Sequence, residues 1–80
     1  MSKVQVILYT RPGCHLCEEA KRAIEQGGCD DAYDLTEINI ESSEQLLDEY
    51  RNDIPVVLLD GVEAFRHRLT SEEFSRAIIR

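Results

Sequence analysis

The stretch ILYTRPGCHLCEEAKRAI, residues 7–24, decides the fold. It begins inside Val4 to Tyr9, a run of β-branched, apolar and aromatic residues that reads as a strand. Because the run is nearly all apolar, the strand belongs in the middle of its sheet. Pro12 and Gly13 break it. Beyond them Leu16, Ala20, Ala23 and Ile24 recur at helical spacing, with Glu18, Lys21, Arg22 and Glu25 on the other faces. Gly27 and Gly28 stop that helix. Cys14 and Cys17 therefore stand where a strand turns into a helix. Their spacing alone fits a redox pair, half of a metal site, or two small buried residues, so the surroundings must decide.

Outward from this stretch, Asp34 to Ile40 reads as a half-buried strand, with Thr36, Ile38 and Ile40 alternating with Glu37 and Asn39. Ser42 and Gln45 form a capping-box pattern that opens a second helix, with Leu46, Leu47 and Tyr50 as its buried stripe. Pro55 to Leu59 is an apolar strand with proline at its first position, where a missing N–H is tolerated. Asp60-Gly61 is a two-residue hairpin signal leading into Val62 to His67. Thr70 and Glu73 form another capping box, and Phe74, Ala77 and Ile78 line the inner face of the last helix. The order is β-α-β-α-β-β-α. The first β-α-β is expected to be a right-handed parallel crossover, and the last two strands to be antiparallel.

The 80 residues are expected to form one domain, 1–80, with a thin core, since 42% of them are hydrophobic. A net charge of -7 argues against nucleic acid as a partner. No segment approaches the roughly 20 apolar residues that span a membrane, and MSKVQVILYT does not read as a signal peptide. The expectation is a soluble, monomeric, cytoplasmic protein, where a close cysteine pair is more often catalytic or metal-binding than structural. Arg66, His67 and Arg68 form the densest basic cluster, read as a solvated strand edge or as a rim that receives an anionic ligand.

Position supplies a reason for redox chemistry. Cys14 follows the RPG turn and should sit at the first turn of the helix, where unpaired N–H groups and the helix dipole stabilise a thiolate. Such sites lower a cysteine pKa from about 8.5 toward 7 or below. Cys17 lies about one turn on, able to reach Cys14 and expected to be more buried. Arg11 and protonated His15 favour the Cys14 thiolate, whereas Glu18 and Glu19 oppose it. Protonated His15 is further expected to stabilise the reduced pair and make it more oxidising. Tyr9 is read as packing, with a ring able to line a substrate groove. Cys29 reads as an incidental thiol, with a regulatory disulfide as the minority reading. For a metal, Cys14, His15 and Cys17 with Cys29 or His67 supply enough ligand atoms. Adjacent Cys14 and His15 diverge at a helix start, however, and no second Cys-x-x-Cys is present, so no metal site is assigned. A cluster shared between two copies stays open, as does a binding module without turnover whose dithiol acts as a redox-sensing latch.

The segment YTRPGCHLCEEAK resembles the active-site segment of the glutaredoxin-like branch of the thioredoxin superfamily, and DIPVVLLDG, residues 53–61, resembles the segment carrying that family's cis-proline. With the matching element order, the likeness spans essentially the whole chain. It implies a thioredoxin fold, α/β with a four-stranded mixed sheet flanked by helices. It implies thiol–disulfide exchange with Cys14 as nucleophile and Cys17 as resolving thiol. It also implies that Pro55 is cis, that the Ile54 backbone pairs with a bound peptide or glutathione, and that Arg11 approaches a glutathione carboxylate. No bound cofactor is implied. Glutathione is a candidate co-substrate, partners are protein or small-molecule disulfides, and regeneration falls to glutathione or a thioredoxin-type reductase. Two departures stand out. His15-Leu16 replaces the Pro-Tyr or Pro-Phe of classical glutaredoxins, and HRLTSEE, residues 67–73, replaces their Gly-Gly and acidic residue. There the hydroxyls of Thr70 and Ser71, with nearby N–H groups, are the groups available to take a carboxylate.

Overall fold

The computed structural model describes residues 3–27 and 30–78. Four strands, β1 (Val4–Thr10), β2 (Tyr33–Asn39), β3 (Val56–Leu59) and β4 (Val62–Arg66), alternate with three helices, α1 (His15–Gln26), α2 (Glu44–Tyr50) and α3 (Ser71–Ile78). They form one sheet in the order β2-β1-β3-β4. β1 runs parallel to β2 and antiparallel to β3, and β3 runs antiparallel to β4. This is the mixed four-stranded α/β arrangement expected from the sequence, with the apolar β1 in the interior of the sheet.

The alternation along β1 separates two faces. Val4, Val6 and Leu8 join Tyr33, Val57 and Leu59 in a core closed by Ala20 and Ile24 of α1 and by Phe74 and Ile78 of α3. Phe74 is fully buried, and its ring meets that of Tyr33 edge-on at 5.2 Å. The Tyr33 hydroxyl donates to the Ile24 carbonyl at 3.3 Å, so the ring spans from β2 to the end of α1. On the opposite face Tyr9 stacks on Tyr50 of α2 at 4.8 Å. Burial against these neighbours, ahead of the nearby Glu49 carboxylate, pushes the Tyr50 hydroxyl pKa up.

Several local expectations shift, each for a visible reason. The second strand is Tyr33–Asn39 rather than 34–40, because Ile40 starts a 3-10 turn, Ile40–Ser42, and is fully buried there. Tyr33 is buried and Leu35 half-buried, whereas Thr36 is exposed. Ser42 belongs to that turn, so the cap of α2 is Ser43, whose hydroxyl accepts the Leu46 N–H at 3.4 Å. The capping box expected at Ser42 and Gln45 is therefore not formed. Leu46, Leu47 and Tyr50 are only half-buried, because α2 has seven residues and covers its face incompletely. β4 ends at Arg66, as His67 takes a φ of 71°.

Two local signals are realised as read. Asp60 and Gly61 have φ of 50° and 87°, the pair of positive values a tight two-residue hairpin requires. Asp60 also holds the start of β1, its N–H donating to the Gln5 carbonyl at 2.8 Å and its carboxylate accepting the Gln5 N–H at 2.9 Å. At α3, the Thr70 N–H donates to Glu73 Oε1 at 3.0 Å while the Glu73 N–H donates to Thr70 Oγ1 at 3.1 Å, a closed capping box. Among the described residues no helix is long and apolar enough to cross a membrane.

Candidate functional site

β1 delivers the chain to the site. Past Thr10 the RPG turn is closed by a bond from the Cys14 N–H to the Arg11 carbonyl at 3.2 Å, with Gly13 at a φ of 80° that a side chain would resist. Cys14 is extended, with φ -88° and ψ 107°, and is the N-cap of α1. Its Sγ accepts the Cys17 N–H at 3.1 Å, taking the place a serine or aspartate oxygen holds in an ordinary cap. The two sulfurs meet at close to disulfide-bonding distance, with their Cα atoms 5.2 Å apart. Cys17 is 2% exposed and lies in the packed side of α1, whereas Cys14 is half-buried at its tip. An incoming group therefore reaches Cys14 first.

The sheet register brings Pro55 to the same end. Tyr9 pairs with Val56, so the next step along the antiparallel pair sets Pro55 beside Thr10, where the RPG turn begins. Pro55 is buried, the Ile54–Pro55 peptide is cis, and Ile54 is half-buried. The Pro55 carbonyl accepts the His67 N–H at 2.8 Å. Asp53, just ahead, is gripped by Arg66 Nη1 and His67 Nε2, both at 3.2 Å, while Arg66 also holds Glu63 at 2.7 Å. The hydrogen bond from Arg66 pulls the Glu63 carboxyl below its ordinary 4.5 and raises the guanidinium in turn. Arg66 and His67 thus clamp the loop that leads into Pro55. Sequence reasoning missed Asp53, because nothing in its neighbourhood marks a partner 13 residues away.

Two clefts flank the dithiol. One, of about 340 Å³, is lined by Arg11, Pro12, Cys14, Cys17, Glu18 and Lys21 among others. The other, of about 230 Å³, lies between α1 and the segment leading into α3, with Leu16, Ala20, Leu69 and Thr70 in its wall and Glu19, Glu73, His67 and Arg68 as its titratable lining. Leu16, between the cysteines in the chain, lines this second cleft, whereas Cys14 and Cys17 line the first. His15 is exposed and lies with Glu18, Glu19 and Arg22 on the outer surface of α1. Tyr9 lines neither cleft, because its ring is turned to Tyr50. Ser71 is the first residue of α3 and half-buried.

The cations near Cys14 are occupied. Arg11 Nε bonds Glu41 at 3.1 Å, and Lys21 bonds Glu37 at 3.0 Å. The Glu37 hydrogen bond, with its charge, raises the Lys21 pKa. Glu41 and Glu37 carry no sequence signal of these roles; they come from β2 and the turn after it, and only the parallel crossover brings them in. Among the described residues no group of three His, Cys, Asp or Glu side chains converges as a metal site. Cys29 lies outside the described residues.

Residues 5–79 match the family model described as Glutaredoxin-like domain (DUF836). The chain is 33% identical to the "Glutaredoxin-like protein YDR286C homolog" of Dictyostelium discoideum, over 88% of this chain and 70% of that one. It is also 33% identical to a protein named thioredoxin from Methanocaldococcus jannaschii, over 98% and 95% of the two chains. Among solved structures it is similar to protein Ne2328 from Nitrosomonas europaea, with a TM-score of 0.80, 26% identity, and coverage of 98% of this chain and 94% of that one. Trxlp from Edwardsiella tarda shares the fold, with a TM-score of 0.63, 13% identity, and coverage of 98% and 84%.

Proposed function

The chain belongs to the Glutaredoxin-like domain family (DUF836), and on that premise we propose that it performs thiol–disulfide exchange through Cys14 and Cys17. The observation that carries the reading is the Cys14 sulfur at the N-cap of α1, accepting the Cys17 N–H at 3.1 Å with its partner sulfur alongside. A backbone donor and the positive end of a 12-residue helix both favour a thiolate there. The deprotonated Cys14 attacks one sulfur of a substrate disulfide, forming a mixed disulfide and expelling the other sulfur as a thiolate. Cys17 loses its proton to solvent or to the expelled thiolate and attacks the Cys14 sulfur, releasing the second substrate thiolate. The substrate gains two electrons and the protein ends as a Cys14–Cys17 disulfide, which an external thiol or a thioredoxin-type reductase returns to the dithiol. The position of Ile54 and Pro55 at the same end of the sheet, beside the Asp53 clamp, supports the reading that their backbone pairs with an extended substrate.

The test is a trap. Cys17→Ser stops resolution, so the adduct with a disulfide substrate should accumulate on Cys14 and be read by mass spectrometry. In redox buffers the wild-type pair should interconvert at a potential within about -180 to -270 mV, the span of related oxidoreductases. An adduct found mainly on Cys29 overturns Cys14 as the nucleophile, and a pair that stays reduced throughout overturns the exchange reaction and favours binding or cluster chemistry.

A further inference from the structure

We infer that the groove around the dithiol takes disulfides carried on neutral or basic peptide segments with an apolar residue beside the reacting cysteine, and that it discriminates against glutathione disulfide. This rests on the exchange reaction proposed above. Each half of glutathione disulfide presents two carboxylates. Among the described residues, the groups the sequence singled out to receive them are Arg11 and the amino end of α3, and each is partly occupied by one of the chain's own carboxylates. Arg11 is bonded to Glu41 at 3.1 Å. At α3 the Glu73 carboxylate takes the Thr70 N–H at 3.0 Å, and Thr70 Oγ1 is engaged by the Glu73 N–H. An incoming carboxylate that uses Arg11 Nε or the Thr70 N–H must displace the intramolecular one and then sit beside it.

The remaining charges do not offset this. Lys21 is held by Glu37 at 3.0 Å. Glu18 and Arg22, neither with an ion pair among the described residues, lie together on the outer surface of α1. Glu19 and Arg68, also without one, line the Leu16 cleft with Glu73. One unpaired cation thus stands against two carboxylates there, in a chain of net charge -7. Such a field slows an anionic partner and draws a basic one. The apolar part of the same cleft is Leu16 and Ala20 from α1 with Leu69 opposite, and Leu16 is the residue one step before Cys17 in the chain. This apolar part is placed for a side chain next to the substrate cysteine, a position that glutathione fills only with glycine or a γ-glutamyl group.

The experiment measures second-order rate constants for oxidation of the reduced full chain by three probes. These are glutathione disulfide, a disulfide-linked dimer of a short peptide with leucine and lysine flanking its cysteine, and a matched dimer with serine and glutamate. The leucine–lysine dimer should react at least about tenfold faster than the other two. Glu41→Ala and Glu73→Ala free the two donors, Arg11 Nε and the Thr70 N–H. Each should raise the rate with glutathione disulfide, relative to the leucine–lysine dimer, by about three- to tenfold, as a regained charge-assisted contact near solvent allows. Glu73→Gln, able to keep the bond to the Thr70 N–H, should raise it less. Glu41 lies outside the α3 cap, so its variant decides the matter even if loss of Glu73 unfolds the helix end. Equal wild-type rates, or a ratio unchanged by Glu41→Ala and Glu73→Ala, overturn the inference alone. No reaction with any disulfide overturns the exchange reaction and the inference with it.

Discussion

Gly27 caps α1 where that helix touches α3, and replacing it with alanine sets two effects against each other. Its φ of -63° and ψ of -16° are helical, so alanine is conformationally acceptable and should gain roughly 0.4–1 kcal/mol from a less flexible unfolded chain. The space around it opposes the change. A β-carbon built there lies 2.9 Å from Ser75 Oγ, 3.3 Å from the Ile24 carbonyl oxygen and 3.5 Å from the Phe74 ring. Ser75 must swing away, and its hydroxyl then loses the 3.0 Å bond it donates to the Gly27 carbonyl, worth about 0.5–1.5 kcal/mol. The Ile24 carbonyl, which also accepts from the Tyr33 hydroxyl, must yield a few tenths of an ångström, and overpacking of this kind costs roughly 1–3 kcal/mol. Gly27→Ala should therefore destabilise the protein by about 2 kcal/mol net, within a span of about 0.5–4, read as a lower urea midpoint with an unchanged slope. Ser75→Ala removes the closest atom, so in that background the same glycine substitution should cost less by about 1 kcal/mol. Additive effects of the two changes, or a neutral Gly27→Ala in the wild-type background, would refute the steric reasoning.

The remaining predictions concern the clamp on the Pro55 loop. Asp53→Ala should lower stability by less than about 1 kcal/mol, since its partners are surface groups, yet raise KM for peptide disulfides more than it lowers kcat. Steady-state assays separate this from a general loss of fold, which would lower kcat as well. Glu63 contributes stability at pH values above its ordinary 4.5, and that contribution is lost as pH falls through its lowered folded value. Glu63→Gln should accordingly flatten the acid limb of the stability profile, measured as urea midpoints from about pH 3 to pH 6, and an unchanged limb would argue against the Arg66 bond in solution.

Much of the fold was legible because its signals are local. Val4 to Tyr9 was apolar enough to read as an interior strand, Asp60-Gly61 has the two positive φ values its hairpin needs, and Thr70 with Glu73 closed the cap that their spacing announced. The errors came where two local patterns overlapped. Ser42 and Ser43 both offer a capping hydroxyl, and only the preceding turn, fastened by Asn39 Oδ1 to the Glu41 N–H at 2.9 Å, makes Ser43 the cap. The placement of Cys14 at a helix start was legible for the same reason that the helix was. Its sulfur serving as the capping acceptor was not, because that depends on a rotamer.

The candidate site divides along the same line, with a consequence for chemistry. A sequence identifies which groups are able to bind an anion, and Arg11, Thr70 and Ser71 are such groups. It does not tell whether the folded chain has already satisfied them. Glu41 reaches Arg11 from the turn after β2, across a separation of 30 residues that no periodicity encodes. Glu73 was visible as a helix cap, and the same hydrogen bond that makes it a good cap fills the place where a ligand carboxylate would go. Capping and ligand binding draw on one set of orphan N–H groups at a helix start, so a chain that closes its cap with a carboxylate has traded anion affinity for helix stability. At α1 the opposite choice is made: the capping acceptor is the Cys14 sulfur itself, so the free end of that helix dipole acts on the proposed nucleophile. The two helix starts therefore differ, one capped by the sulfur of the proposed nucleophile and the other by Thr70 with its N–H taken by Glu73. That asymmetry is the physical basis of the proposed preference for peptide disulfides over glutathione disulfide, and the Glu41 and Glu73 variants test it.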